Sequence, residues 1–184
     1  MVICNSMVKH DLAAGEYNQR RAECEAGVRH LQQFLSHVQA LRDVSWSEFE
    51  QYGGALPSVI YRRCHHVISE NARVLASVAA LEQGDWAAFG RLMNDSHDSL
   101  RDDYEVSCEE LNLLVRLARD HEGVYGARMT GGGFGGCTVN LVKAENVHEF
   151  ERIVSSEYQA ATGITPEIYI CSAADGAGRV MTSN

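Results

Sequence analysis

The apolar positions of this chain fall into two kinds of period. Val2-Ile3-Cys4-Asn5-Ser6-Met7-Val8 is short and β-rich and predicts a strand beginning almost at the first residue. A helix is predicted from Leu12 to Val38, where Tyr17, Cys24, Val28, Leu31, Leu35 and Val38 recur at helical spacings and form one stripe. Arg20, Arg21, Glu23 and Glu25 lie off that stripe and read as a solvated face. Val44 to Gly54 reads as a short helix or loop. Leu56-Pro57-Ser58 then opens a long helix whose stripe is Ile60, Cys64, Val67, Ile68, Leu75, Val78 and Leu81. Gly84 ends it, and Asp85 caps a helix from Trp86 to Leu100 with Trp86, Phe89, Leu92, Met93 and Leu100 inward. The short Gly84-Asp85 link predicts that these two helices pack antiparallel.

Further along, Ser107 with Glu110 has the spacing of a capping box for a helix from Cys108 to Asp120, closed by Gly123. Arg128 to Thr130 predicts a strand entering a glycine run, and Cys137 to Val142 a strand leaving it. Asn146 with Glu149 marks the start of another helix, with Val147, Phe150, Ile153, Val154 and Tyr158 inward and Gly163 at its end. Glu167 to Cys171 predicts the last strand, and Ser172 to Asn184 a loose polar tail. The expected architecture is α+β: one antiparallel or mixed sheet of about four strands, covered by helices, with a helical insert between the first and second strands. The strand from Cys137, the helix from Asn146 and the strand from Glu167 form a strand–helix–strand unit.

Composition sets outer limits. The 184 residues, 45% hydrophobic, suffice for one good core. A formal charge of −9 argues against nucleic acid or an anionic membrane as partner, since both call for a basic face. It leaves open a nucleotide held by backbone donors. None of the six cysteines forms a C-x-x-C pair, and buried free thiols in a reducing cytoplasm are expected. No signal peptide or membrane-length apolar run is present in the sequence as it stands.

The candidate chemistry centres on Thr130-Gly131-Gly132-Gly133-Phe134-Gly135-Gly136, where five of the six residues from Gly131 are glycine. Such a run implies tight turning or close approach, and converging N–H groups can hold an anion such as phosphate. Phe134 is placed to pin the loop by packing inward. The run fits G-x-G-x-x-G, but a strand follows it where the dinucleotide fingerprint needs a helix. No Gly-Lys-Ser/Thr follows, so it is not a P-loop, and no H-R-D or D-F-G supports a protein kinase. A glycine hairpin without a ligand is the competing reading. His65 and His66 are adjacent and point to different sides of a helix, and His97 and His121 are isolated. All four read as structural or exposed, and no metal site is expected. Arg101-Asp102-Asp103-Tyr104-Glu105 reads as a solvated turn before it reads as a metal or acid–base cluster.

Gly126-Ala127-Arg128-Met129-Thr130-Gly131-Gly132-Gly133-Phe134-Gly135-Gly136-Cys137 closely resembles the third signature of galactokinases, members of the GHMP small-molecule kinase superfamily. Asn5-Ser6, Gly15 to Arg21, Glu70 to Arg73, Ser96 to Glu105 and Asp175-Gly176-Ala177 resemble further stretches of that family, in the family's order. The resemblance implies a ferredoxin-like C-terminal domain over residues 1–184, without the N-terminal ATP- and galactose-binding lobe. It implies transfer of the γ-phosphoryl of ATP to D-galactose with Mg2+ in the complete cytoplasmic enzyme. The galactose-recognition motif, the Gly-Leu-Ser-Ser-Ser loop and the catalytic aspartate of the family have no counterpart here. No catalytic residue is therefore assigned, and the chain alone is expected to be inactive.

By the same resemblance, Tyr17 matches the tyrosine that contacts the sugar, and Thr130 to Gly136 the loop that shapes the cleft. Arg128 is placed either to neutralise a nearby phosphate or carboxylate or to form a structural ion pair. An exposed apolar face is expected where the other lobe docks, and the same face is a route to a homo-oligomer. Two other readings remain: a non-catalytic galactose or ATP sensor of the same superfamily, and a freestanding regulatory domain.

Overall fold

The computed structural model describes residues 1–9 and 13–174. The start of the first predicted helix at Leu12, the Asp175-Gly176-Ala177 stretch and most of the polar tail lie outside the described residues. The order of elements is β1 (Val2–Lys9), α1 (Ala13–Leu31), α2 (Trp46–Tyr52), α3 (Ser58–Glu82), α4 (Trp86–Asp102), α5 (Glu109–Asp120), β2 (Val124–Thr130), β3 (Gly135–Val142), α6 (Val147–Thr162) and β4 (Glu167–Ile170).

The four strands form one sheet in the order β2-β3-β1-β4, and every neighbouring pair is antiparallel. β3 and β4 therefore run parallel with β1 between them, so β3–α6–β4 is a split crossover over the first strand. Alternation along the strands decides the faces. Val2, Cys4, Ala127 and Val142 point into a core closed by Leu114, Val115 and Ala118 of α5 and by Phe150, Val154 and Tyr158 of α6. The Tyr158 hydroxyl donates to the Ser6 carbonyl at 2.9 Å, so this phenol enters the core with its polar end satisfied.

β2 is an edge strand, and α4 covers its open side. Asn94 Oδ1 accepts from the Ala127 N–H at 2.9 Å, and His97 Nδ1 accepts from the Met129 N–H at 3.2 Å. The unpaired edge donors thus find helix side chains in place of another strand. Close approach needs glycine here. A Cβ on Gly126 would strike the Gly90 carbonyl, and one on Gly90 would strike that of Tyr125.

The helical insert has its own core of Leu31, Leu35, Val38, Leu41, Phe49, Cys64 and Ile68. α1 stops at Leu31, seven residues before the stripe does. Val38's carbonyl accepts from Gln32 Nε2 at 3.0 Å, and Asp43 Oδ2 accepts from the N–H groups of Gln39 and Ala40. These side-chain bonds replace helical ones and still let Leu35 and Val38 reach Phe49. Ser45 and Glu48 form a capping box for α2, and Asp85 accepts from Ala88 N–H at the start of α4. α3 and α4 form the expected antiparallel hairpin, tied by Ser96 to Glu70 and by His66 to Ser99 on equivalent sides of the Gly84 turn.

Other expectations fail for identifiable reasons. Ser107 does not cap α5; its hydroxyl donates to Asn112 Oδ1, and Cys108 occupies the cap position. The Asn146 side chain does not cap α6, because it lies against Gly123, where a Cβ would collide with it. Arg20 is buried rather than solvated. Trp86 is exposed, and so are Leu75, Val78 and Leu81 of the α3 stripe, together with Val74 beside them. Among the described residues nothing covers that face of α3. All six cysteines are free, as expected, but only Cys4 and Cys64 are buried. Burial pushes both thiols up to about 12, which leaves them as inert packing groups. No helix of the described residues is long and apolar enough to cross a membrane.

Candidate functional site

The hairpin between β2 and β3 is the glycine run. Backbone φ is positive at Gly131, Gly133, Phe134, Gly135 and Gly136, a sequence of left-handed conformations that only glycine adopts without strain. At Gly131, Gly132 and Gly136 an added Cβ would meet no atom within 4 Å, so these positions face open space. Gly133 is the reverse case: its Cβ would run into the Val106 carbonyl. Phe134 tolerates its left-handed backbone because its ring packs inward against the cluster of Leu100, Val106, Leu111 and Met129. Its N–H donates to the Val106 carbonyl at 2.8 Å. The loop is therefore anchored at its centre and open at its two shoulders.

The second candidate, Tyr17, lies on the helix that follows β1. Lys9, at the end of β1, pairs with Gly135, after an irregularity that begins beyond Asn5. Asn5 Oδ1 accepts from the Met7 N–H and Ser6 Oγ from the Val8 N–H, which shapes this bulge. α1 begins just beyond it and carries Tyr17, whose side chain is 62% exposed. Tyr17 is thus not a core residue of the stripe. It faces outward, while Tyr104 is half-buried, with its phenol held protonated first by burial and then by the neighbouring Cys24.

Thr130 and Arg128 border a groove of about 440 Å³ between the outer face of the sheet, α3 and α4, which Val74, Val78 and Leu81 also line. Arg128 Nη1 lies 3.2 Å from Glu70 Oε1, and Arg73 Nε lies 2.7 Å from Glu70 Oε2. The Glu70 carboxyl is held low despite its burial by bonds from Ser96 and Arg73 and by the charge of Arg128. Arg128 is thus in a structural ion pair on one side and at the groove wall on the other. A larger groove, about 710 Å³, lies between α1, the turn at Leu41 and α3; no sequence-predicted site residue lines it.

The acidic stretch Arg101 to Glu105 is only half solvated. Arg101 and Asp102 pair at the surface, while Asp103 accepts from Ser99 Oγ at 2.8 Å and lies 3.0 Å from His65 Nδ1. Glu105 Oε2 is 2.7 Å from Arg63 Nη2 and Oε1 is 2.6 Å from Arg62 Nη2. His66 and His97 are both pushed down to about 4, chiefly by burial, and are neutral structural groups at neutral pH. Among the described residues no cluster of His, Cys, Asp and Glu could hold a metal ion. The residues that sequence reasoning missed are Arg20 and Arg63, buried at 6% and 2% exposure. Helical spacing places arginines on a polar face and carries no signal that another helix will cover that face.

Residues 77–160 match the family described as GHMP kinases C terminal. The chain is 51% identical over 181 residues to a galactokinase of Roseiflexus sp. (strain RS-1), covering 98% of this chain and 46% of that protein. It is 50% identical over 183 residues to a galactokinase of Chloroflexus aggregans, covering all of this chain and 47% of that one. A solved structure of Lactococcus lactis galactokinase complexed with galactose superposes with a TM-score of 0.87 at 37% identity, over 91% of this chain and 43% of that one. L. major mevalonate kinase shares the fold, with a TM-score of 0.53 at 22% identity. The chain spans about half the length of the curated relatives it matches. On these similarities the chain corresponds to the C-terminal part of galactokinases, and its residues 77–160 to the C-terminal segment of GHMP kinases.

Proposed function

We propose that this chain supplies one wall of a site that phosphorylates D-galactose from ATP, giving galactose 1-phosphate. The observation that carries this reading is the glycine hairpin: it is anchored through Phe134 yet open at Gly131, Gly132 and Gly136, and it begins at the groove that Thr130 lines. Tyr17 stands outward on α1, the helix that follows the strand whose end pairs with Gly135, which supports a role for both in one site. In this reading Tyr17 lays its ring and hydroxyl against the sugar, and the hairpin shapes the cleft floor without large side chains in the way.

No described residue has the placement of a general base, so activation of the sugar hydroxyl falls to the part of the relatives that this chain does not span. Among the described residues no cluster of His, Cys, Asp and Glu fits a magnesium site. The proposed partner is that remaining part, and its docking surface is the uncovered α3 face of Val74, Leu75, Val78 and Leu81 with the groove beneath. Without it, two copies of this chain pairing through the same face is the competing outcome.

The test is a chimera in which this chain replaces the matching C-terminal part of the Roseiflexus galactokinase. Galactose-dependent release of ADP by the folded chimera is expected, with loss of turnover in Tyr17→Ala exceeding that in Tyr17→Phe. A folded chimera that binds neither galactose nor ATP overturns the proposal. Calorimetry on the chain alone bears on the sensor reading, because tight galactose binding there would favour a self-sufficient binding module.

A further inference from the structure

Two buried arginines converge on one short turn. Arg63 of α3 gives Nη1 to the Asp103 carbonyl at 2.5 Å, Nη2 to Glu105 Oε2 at 2.7 Å and Nε to Glu23 Oε2 at 2.7 Å. Arg20 of α1 gives Nε to the Tyr104 carbonyl at 2.6 Å and Nη2 to the Glu105 carbonyl at 2.8 Å. Three consecutive carbonyls are thus held by guanidinium groups from two different helices. The charges balance locally: Glu16 and Glu23 lie within 3.6 Å of Arg20 Nη1, and Arg62 supplies a second cation to Glu105.

The turn so held is itself unusual. Glu105 has φ of 53°, a left-handed conformation in a residue with a full side chain. Immediately after it, the Val106 N–H returns to the Leu100 carbonyl at 3.0 Å, and the Val106 carbonyl accepts the Phe134 N–H at 2.8 Å. That same carbonyl is what excludes a side chain at Gly133. Tyr104, between the clamped carbonyls, stacks on His66 with ring centroids 4.5 Å apart.

We infer that Arg63 and Arg20 are positioning residues for the glycine hairpin, acting through the 103–106 turn and the Val106–Phe134 hydrogen bond. The fork geometry of arginine matters here, because each guanidinium spans two or three acceptors that a point-charge ammonium cannot reach together. Burying such charges gains little stability over a well-packed apolar substitute, so what the arrangement supplies is one fixed shape for the turn. The functional weight of that shape rests on the proposed role of the hairpin; the mechanical coupling does not.

The experiment is amide hydrogen exchange, residue by residue, on the full chain and on Arg63→Lys and Arg63→Met, with Arg21→Ala as control because Arg21 pairs with Glu25 at the surface, away from the turn. The clamp predicts that Phe134 N–H exchanges at least tenfold faster in both Arg63 variants. Ala127 and Met129 N–H, bonded to Asn94 and His97 on the adjoining strand, keep their protection. Arg21→Ala leaves Phe134 unchanged. Unchanged Phe134 exchange in a folded Arg63 variant overturns the inference, and so does equal acceleration of all three amides. Should both Arg63 variants unfold, Glu105→Gln keeps the side-chain shape and weakens the charge; selective loss at Phe134 supports the clamp, and no selectivity contradicts it. The readout needs no catalysis, so it can fail while the chimera is active, and succeed while the chimera is inert.

Discussion

The two halves of α3 carry the same apolar period and meet opposite fates. Over its first half Cys64 and Ile68 are buried in the insert core, and Arg63 and His66 are buried beside them. Over its second half Leu75, Val78 and Leu81 continue the stripe, yet all three are exposed, with Leu75 at 73%. Periodicity shows that a helix has a face to bury; it does not show whether the cover belongs to the same stretch of chain. In the first half the cover comes from α1 and α2, and in the second half the proposal assigns it to the remaining part of the kinase.

This contrast predicts a graded set of effects. The largest belongs to Arg63→Met. It leaves Glu23 and Glu105 without their shared cation, and should cost about 3 kcal/mol in urea unfolding, somewhat below the value for a dry pair because Glu105 is 42% exposed. Next is Ile68→Ala, which empties a buried position and should cost about 2–3 kcal/mol, while Val78→Ala in the same helix should change stability by about 0.5 kcal/mol or less. Comparable losses from both would erase the distinction between the halves.

The covered half also makes stability depend on pH. His66 has its pKa lowered from 6.5 to about 4 in the folded chain, first by burial. The unfolded chain therefore binds the extra proton first. The stability from keeping this imidazole neutral is full above pH 6.5 and is lost as pH falls from there towards 4, at up to about 1.4 kcal/mol per pH unit. His66→Gln should flatten that part of a stability–pH profile, and an unchanged slope would assign the dependence to other groups. A smaller effect separates two neighbours in the hairpin. Gly133→Ala meets both a positive φ and the Val106 carbonyl and should destabilise by about 1–3 kcal/mol, whereas Gly132→Ala enters open space and should stay within about 0.5 kcal/mol. Thermal melts of the two variants suffice.

Much of the sheet could be read from the sequence because it depends on local rules. A short β-rich run marked β1, the inward residues of α6 from Val147 to Tyr158 appeared at helical spacing, and Gly84 and Gly163 stood where left-handed termini occur, with φ of 67° and 74°. Loop anchoring by Phe134 was legible for a similar reason: one large apolar residue among glycines has few other uses. The misses turn on partners that helical spacing and cap patterns do not show. Arg20 is polar by identity and buried by its partners, which lie more than eighty residues away. Ser107 has the sequence of a cap, but its hydroxyl donates to Asn112 and Cys108 takes the cap position. Tyr17 fits the α1 stripe by spacing but lies too near the helix start to reach the insert core, which leaves it outward.

The central claim is that the uncovered face of α3 joins this chain to the part that completes the site. The direct measurement is a calorimetric titration of the chain with the separately produced N-terminal part of the Roseiflexus galactokinase, with Leu75→Glu beside the parent. Leu75→Glu should leave the melting temperature of the chain nearly unchanged, since Leu75 is in solvent. The account predicts saturable binding by the parent, weakened at least tenfold by Leu75→Glu. Binding of equal strength by both would contradict it.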